Sequence, residues 1–357
     1  MTRTVRTVVI GTGFGRRAVL PALRYAGGVE VVGLAGHDAD KARRVASEAG
    51  VPLGTGDWRE LCELEPDLAI VTSPVDLHHP MVCELLERTK AAILCEKPFA
   101  LDVSQAQDLV QRAEGRAAWI DHELRWSPHL RELRRRCFEG LIGEPLHLRA
   151  HMHLPTAGFR DKPFGWWFQA ERGGGVLGAL GSHLVDLCRW IGGEIDAARG
   201  SLQVVVPQRQ DAEGALHEVS ADEHALCELR FAGGARGEVI TSVAIPHQRF
   251  FEVQVTGTRG VLRFYDGDQL YQGERGQALE AVEVRPGLPS AEETGMPDAG
   301  PFARTLPLYL RDLVQAVRDR TPLEGAATFA DGLAVQRVLD AVRTSSATDG
   351  AFVATGA

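Results

Sequence analysis

Short apolar runs of strand length alternate with amphipathic stretches through the first third of the chain. Thr7 to Ile10, Glu30 to Ala35, Asp67 to Val71, Ala91 to Cys95 and Ala117 to Asp121 read as buried strands. Between them, Arg17 to Tyr25, Ala39 to Ala49, Asp57 to Leu64, Pro80 to Arg88 and Leu101 to Glu114 read as helices. Asp38 is placed to cap the second of these, and Asp102 or Ser104 the last. This alternation predicts a doubly wound parallel α/β sheet over residues 1–122. The pattern then changes. Pro128 to Gly140 is a basic amphipathic helix, Pro145 to Leu154 a strand, and Val176 to Gly192 a loop entering a helix. Asp222 to Phe231, Ala235 to Ile245, Phe250 to Gly257, Gly260 to Tyr265 and Gln269 to Gln272 read as strands. Ala232-Gly233-Gly234 and Asp266-Gly267-Asp268 are hairpin signals between them. Gly273 to Gly300 reads as irregular, either a lid or a mobile stretch, and Phe302 to Arg320 and Phe329 to Ser346 as closing helices. Residues 123–357 are therefore expected to form an α+β domain on a large, mostly antiparallel sheet.

The length of 357 residues agrees with two domains. The net charge of −9 argues against a nucleic-acid surface and leaves a small-molecule ligand open. No apolar run is long enough to span a membrane, and Met1 to Arg6 does not resemble a signal peptide. The six cysteines are scattered without CxxC spacing and read as reduced, buried thiols, neither disulfides nor a zinc site. A cytoplasmic protein is the expectation.

Candidate chemistry gathers at the ends of the predicted strands. Gly11-Thr12-Gly13-Phe14-Gly15-Arg16 follows the first strand and opens a helix, the context of a Rossmann-type dinucleotide site. Gly11 would make the tight turn and Gly13 admit a pyrophosphate. Arg16 stands where the third glycine of GxGxxG belongs, and Gly15 sits one place early. The second strand ends in Gly36-His37-Asp38, with no acid at 36 to bind ribose hydroxyls. With His37, Arg43 and Arg44 as positive partners, this favours NADP over NAD; alternatively Gly36-His37 is only a turn and Asp38 only a helix cap. Thr72-Ser73-Pro74 ends the next strand, with His78 beyond, and places small polar groups toward a ligand. Glu96-Lys97-Pro98 ends the strand after that, so Lys97 is either a catalytic acid or part of a surface ion pair. An X-Pro bond takes the cis form at modest cost, and Lys97-Pro98 is expected to do so. In the second half, His147, His151 and His153 share one strand face; a solvated or substrate-facing surface explains them better than a metal. Trp166-Trp167 is either core or a flat wall for a ring. His183 and Asp186 lie on one helical face.

Gly11 to Gly15, Pro74 with His78, and Cys95-Glu96-Lys97-Pro98 resemble the Gfo/Idh/MocA oxidoreductases. The resemblance continues through His122-Glu123-Leu124-Arg125-Trp126-Ser127-Pro128, Gly173-Gly174-Gly175 and Gly181-Ser182-His183, and so covers essentially the whole chain. It implies hydride transfer between a bound NAD(P) and a secondary alcohol or ketone of a sugar, cyclitol or similar small polar molecule. His183 would be the proton carrier and Lys97 would polarise the carbonyl. It also implies that Glu96 orients loops and that Glu123 and Arg125 reach nicotinamide or substrate. Arg125, Trp166 and Trp167 join Lys97 and His183 as substrate contacts. The open face of the second sheet would build a homodimer or homotetramer. One departure concerns the acid that the family often carries four residues before the histidine: here that position is Ala179. The resemblance therefore leaves two other readings, a dinucleotide sensor without turnover and a glycosidase that uses NAD transiently.

Overall fold

The computed structural model describes residues 3–155, 161–245, 249–265, 268–296 and 300–356. The chain divides into two compact units. The first is Met1–Ala100, Ser104–Ser127 and Leu288–Gly332; the second is Leu101–Val103, Pro128–Gly287 and Leu333–Ala357.

In the first unit, β1 (Val5–Ile10), β2 (Val29–Ala35), β3 (Leu53–Thr55), β4 (Leu68–Val71), β5 (Ala92–Cys95) and β6 (Ala118–Ile120) form a parallel sheet of order β3-β2-β1-β4-β5-β6. Residues of β4 and β5 are buried on both faces, which is why those strands read as continuous apolar runs. The strand order reverses between β1 and β4, and in open α/β sheets ligands bind at such a crossing point. Asp38 accepts from Lys41 N at 3.0 Å and starts the helix Ala39–Ala49. The helix Pro301–Asp319 belongs to this unit, although it is distant in sequence. Its Leu306, Tyr309, Leu310 and Leu313 share a core with Leu20 and Leu23. Tyr309 packs against Trp126, with ring centroids 4.5 Å apart and the planes tilted by 38°, and donates to Ile120 O at the end of β6, while Trp126 Nε1 donates to Asp312. Part of the stretch expected to be irregular is ordered here: Ala291–Thr294 is a helical turn with a capping box, and Met296 is buried in the same core.

The second unit is built on a nine-stranded sheet of β7 (Pro145–His153), β8 (Ile195–Gln203), β11 (His224–Phe231), β12 (Arg236–Ser242), β13 (Phe250–Gly257), β14 (Gly260–Tyr265), β15 (Gln269–Glu274), β16 (Glu280–Val282) and β17 (Val353–Ala354). Two further short strands, β9 (Gln208–Gln210) and β10 (Leu216–Glu218), pair apart from it. Neighbours are antiparallel except β7 and β12. The Gly233-Gly234 turn joins β11 and β12 as expected, with Gly234 at φ 87°. Asp266 and Gly267 lie outside the described residues. Strands β8, β9, β10, β16 and β17, like β3 in the first unit, were not among the expected ones. In β7, Leu148, Ala150 and Met152 face the core; His147, Arg149, His151 and His153 alternate with them on a partly exposed face.

Gly200 in β8 lets the helix Phe329–Ala347 approach closely. A Cβ there would stand 2.6 Å from Leu226 O and 2.8 Å from Val342 Cγ1. Overpacking of this kind costs about 2 kcal/mol, so Gly200→Val should lower the thermal midpoint by about 5 °C. An unchanged midpoint in a calorimetric scan would mean that the helix and sheet are not in close contact at that position.

Candidate functional site

At the carboxyl ends of β1 and β2, three glycines are closed in by protein and one is open. Gly11 has φ 124°, and a Cβ on it would lie 2.3 Å from Thr72 Oγ1. A Cβ on Gly15 would meet Val9 at 2.9 Å, and one on Gly36 would meet Thr12 at 2.6 Å. Thr72 fastens the turn, with its N–H and Oγ1 both donating to Ile10 O, at 2.7 and 3.0 Å. Gly13 has no atom within 4 Å of its missing Cβ. The bare backbone at Gly13, beside the π-helical turn Gly15–Val19 that leads into the helix Leu20–Ala26, is therefore the open side of the cradle. Phe14 precedes that turn and packs against the core. Arg16 is ion-paired with Glu48 at 3.0 Å on the surface. His37 is exposed. Asp38 is held below the usual carboxylate range, chiefly by the Lys41 N–H of its capping bond.

Beyond β4, Ser73 Oγ is buried without a protein hydrogen-bond partner. A buried hydroxyl of this kind, next to a backbone cradle open at Gly13, fits a dinucleotide. His78 is buried, and burial lowers its pKa. Its ring nitrogens face Ser73 O at 2.9 Å and Pro98 O at 3.1 Å, tying the loop after β4 to the loop after β5. The Pro74-x-x-x-His78 spacing thus serves to join two site loops.

Lys97 stands at the end of β5, and its peptide bond to Pro98 is cis. The Glu96 carboxylate accepts from Lys97 N at 3.0 Å and lies 3.9 Å from Lys97 Nζ. Two more acids, Asp121 and Glu123, follow β6, and both are buried. Burial raises the Glu96 pKa against the pull of Lys97. Asp121 is raised well above its ordinary value by burial, then by the charges of Glu123 and Glu96. Glu123 is pushed up to about 8 by burial and by Glu96, with Lys97 opposing. One ammonium does not balance three buried carboxylates, so the group retains protons at neutral pH. The sequence reading gave Asp121 no role, although an acid ending the strand beside Glu96 was the available signal. Arg125 is buried, with Nη2 at 3.3 Å from Asp331 Oδ1, so it works from within the fold.

In the second unit, the glycines of Gly173-Gly174-Gly175 make room for two close approaches. A Cβ on Gly174 would stand 2.3 Å from Trp167 O; one on Gly175, at φ 104°, would stand 2.4 Å from Asp222 Oδ1. Asp222 accepts from Leu177 N at 2.7 Å and so anchors the π-helical turn Leu177–Gly181, which runs straight into the helix Ser182–Gly192. His183 and Asp186 are buried on that helix, and Ala179 lies in the π-helical turn. Trp166 and Trp167 are partly exposed, with Trp167 edge-on to Phe168 at 5.2 Å. On the open face of β7, His151 Nε2 faces Glu238 at 3.5 Å, and Arg149 donates to Glu252 at 2.9 Å. Among the described residues, His147, His151 and His153 do not converge with other ligands into a metal-sized cluster.

Two family models match the chain. The oxidoreductase family with an NAD-binding Rossmann fold covers residues 5–120, and the GFO/IDH/MocA C-terminal domain covers residues 130–263. The chain belongs to the GFO/IDH/MocA family of oxidoreductases. Its first domain is of the NAD-binding Rossmann type that this oxidoreductase family carries. It is 28% identical to glucose-fructose oxidoreductase domain-containing protein 2 of Mus musculus, over 95% of this chain and 90% of that one. It is 25% identical to levoglucosan dehydrogenase of Pseudarthrobacter phenanthrenivorans, over 86% and 85% of the two chains. Among solved structures, an oxidoreductase domain protein from Kribbella flavida superimposes with TM-score 0.86 at 26% identity, over 100% of both chains. Levoglucosan dehydrogenase in complex with NADH and levoglucosan superimposes with TM-score 0.87 at 21% identity, over 99% and 100% of the chains. No helix among the described residues is long and apolar enough to cross a membrane.

The raised Glu123 carboxyl has a consequence for stability. The folded protein retains a proton that the unfolded chain releases above its ordinary value of 4.5, so stability falls as pH rises from about 4.5 to about 8. Glu123→Gln removes that titration and should flatten the fall in thermal midpoint across this window. An identical pH profile in the variant would mean that Glu123 is ionised throughout.

Proposed function

We propose that the protein transfers a hydride between a nicotinamide dinucleotide and a secondary alcohol or ketone of a sugar, cyclitol or similar small polar substrate. The observation that carries this reading is Lys97, held against buried carboxylates at the end of β5, in the same unit as a glycine turn left open at Gly13. The sugar class is supported by the levoglucosan dehydrogenase relative. Gly11, Thr12, Gly13, Phe14, Gly15 and Arg16 would hold the dinucleotide with Gly36, His37, Thr72, Ser73 and Pro74. His78, Glu96, Glu123 and Arg125 support that site, with Trp166 and Trp167 toward substrate. Bound nicotinamide supplies the carbon that gives or accepts the hydride. His183 removes the hydroxyl proton in oxidation and returns it in reduction, since an imidazole exchanges protons near neutral pH. Lys97 polarises the carbonyl and stabilises the charge that develops on its oxygen.

Residues 1–122 serve as the dinucleotide-binding domain in this reading, and 123–357 as the substrate and oligomerisation domain. A homodimer or homotetramer forms through the open face of the nine-stranded sheet. The unpaired cysteines suit a cytoplasmic protein. A sensor without turnover is the second reading, favoured by Ala179 where relatives often carry an acid.

NADP is the preferred cofactor, because position 36 carries no acid and Asp38 is occupied as a helix cap. Fluorescence titration should find NADPH bound at least as tightly as NADH; a strong NADH preference would sink this assignment. For the chemistry, a panel of sugars, cyclitols and keto-sugars followed at the nicotinamide absorbance should yield turnover. On the best substrate, His183→Ala should lower kcat by roughly 10²–10⁴-fold with little change in cofactor affinity. Lys97→Ala should do similar damage, and the double variant little more. Near-wild-type turnover in His183→Ala would put the proton carrier elsewhere; absence of turnover with intact cofactor binding would favour the sensor.

A further inference from the structure

Three donor atoms of different chemistry meet on the first unit, none of them from the residues assigned above. His79 and Cys83 are four residues apart on the helix His78–Arg88, so they project from one face. Asp108 comes from the helix Val103–Arg112. His79 Nε2 lies 2.8 Å from Asp108 Oδ2, and Cys83 Sγ lies 3.6 Å from each. All three side chains are half-buried.

The arrangement decides between two chemistries. In a thiol–imidazole–carboxylate relay, the thiol faces one ring nitrogen and the acid orients the other. Here thiol and carboxylate both face Nε2. The three atoms instead outline one face of a coordination tetrahedron. With ordinary zinc bond lengths, tetrahedral edges are about 3.5 Å between sulfur and nitrogen or oxygen, and about 3.3 Å between nitrogen and oxygen. Both observed sulfur distances match this. The nitrogen–oxygen distance needs to open by about half an ångström as its hydrogen bond is exchanged for two bonds to metal.

We propose that His79 Nε2, Cys83 Sγ and Asp108 Oδ2 form a binding site for a divalent cation of the zinc class, completed by water, that staples the two helices together. A nitrogen, sulfur and oxygen set selects such an ion over magnesium or calcium, which take oxygen ligands. Binding displaces the thiol proton and the proton held between His79 and Asp108 into solvent. Arg112 opposes loading, because its Nε donates to the same Asp108 Oδ2 at 2.7 Å.

The test uses the full chain, freed of metal with a chelator and titrated with Co²⁺. About one equivalent per chain should bind and produce the near-ultraviolet absorption of a thiolate–cobalt bond, bleached by added Zn²⁺. Cys83→Ser should abolish that absorption, and Asp108→Asn should weaken Zn²⁺ binding by at least about tenfold. Arg112→Gln, an exposed change that leaves all three ligands in place, should tighten binding. Absence of the absorption in the native chain, its survival in Cys83→Ser, or unchanged affinity in Arg112→Gln would each overturn the assignment.

Discussion

The close approach of Thr72 to Gly11 is the constraint on which the first unit turns. Strands β1 and β4 are central partners in the sheet, and the chain leaves them in different directions. Their carboxyl ends come together only because Gly11 has no side chain and Thr72 fills that space while donating to Ile10 O. With that contact made, the following turn is held against the sheet at Gly15 and stands clear of it at Gly13. The opening for a dinucleotide is thus set by where the protein already touches itself.

Charge at the ends of β5 and β6 obeys a different rule. Glu96, Asp121 and Glu123 are buried around one lysine, an arrangement too acidic to ionise fully. A buried group that exchanges protons near neutrality suits a reaction that moves one. In the second unit the comparable device is mechanical: Asp222 anchors the wide turn from which the His183 helix begins. The glycine-rich turns Gly11–Gly15 and Gly173–Gly175 are each followed by one π-helical turn and then an α-helix, and π-turns of this kind recur at functional sites.

Elements with strong local periodicity were legible in the sequence. The parallel strands other than β3, the Asp38 cap, the closing helices and the Glu96-Lys97-Pro98 strand end all carry their signal within a few residues. Strand β8 does not, because its inward residues include Ala198 and Gly200, kept small by the helix packed on them. Nothing local in Arg125 points to Asp331, two hundred residues on. The acids around Lys97 are individually ordinary, and only the pairing of β5 with β6 makes them a group. The approach of Asp108 to His79 and Cys83 was not legible, because it depends on the packing of two helices.

The interleaving of the two units bears on how the chain is made. Ribosomes deliver residues in order, and β1 to β6 emerge well before Pro301–Asp319. Until that helix arrives, Leu20, Leu23 and Trp126 lack the Leu310, Tyr309 and Leu313 that cover them. The nascent first unit therefore carries an uncovered oily flank while all but the last strand of the second sheet is being synthesised, the interval in which a chaperone would be most useful. An expression fragment ending near residue 122 would carry the same flank permanently.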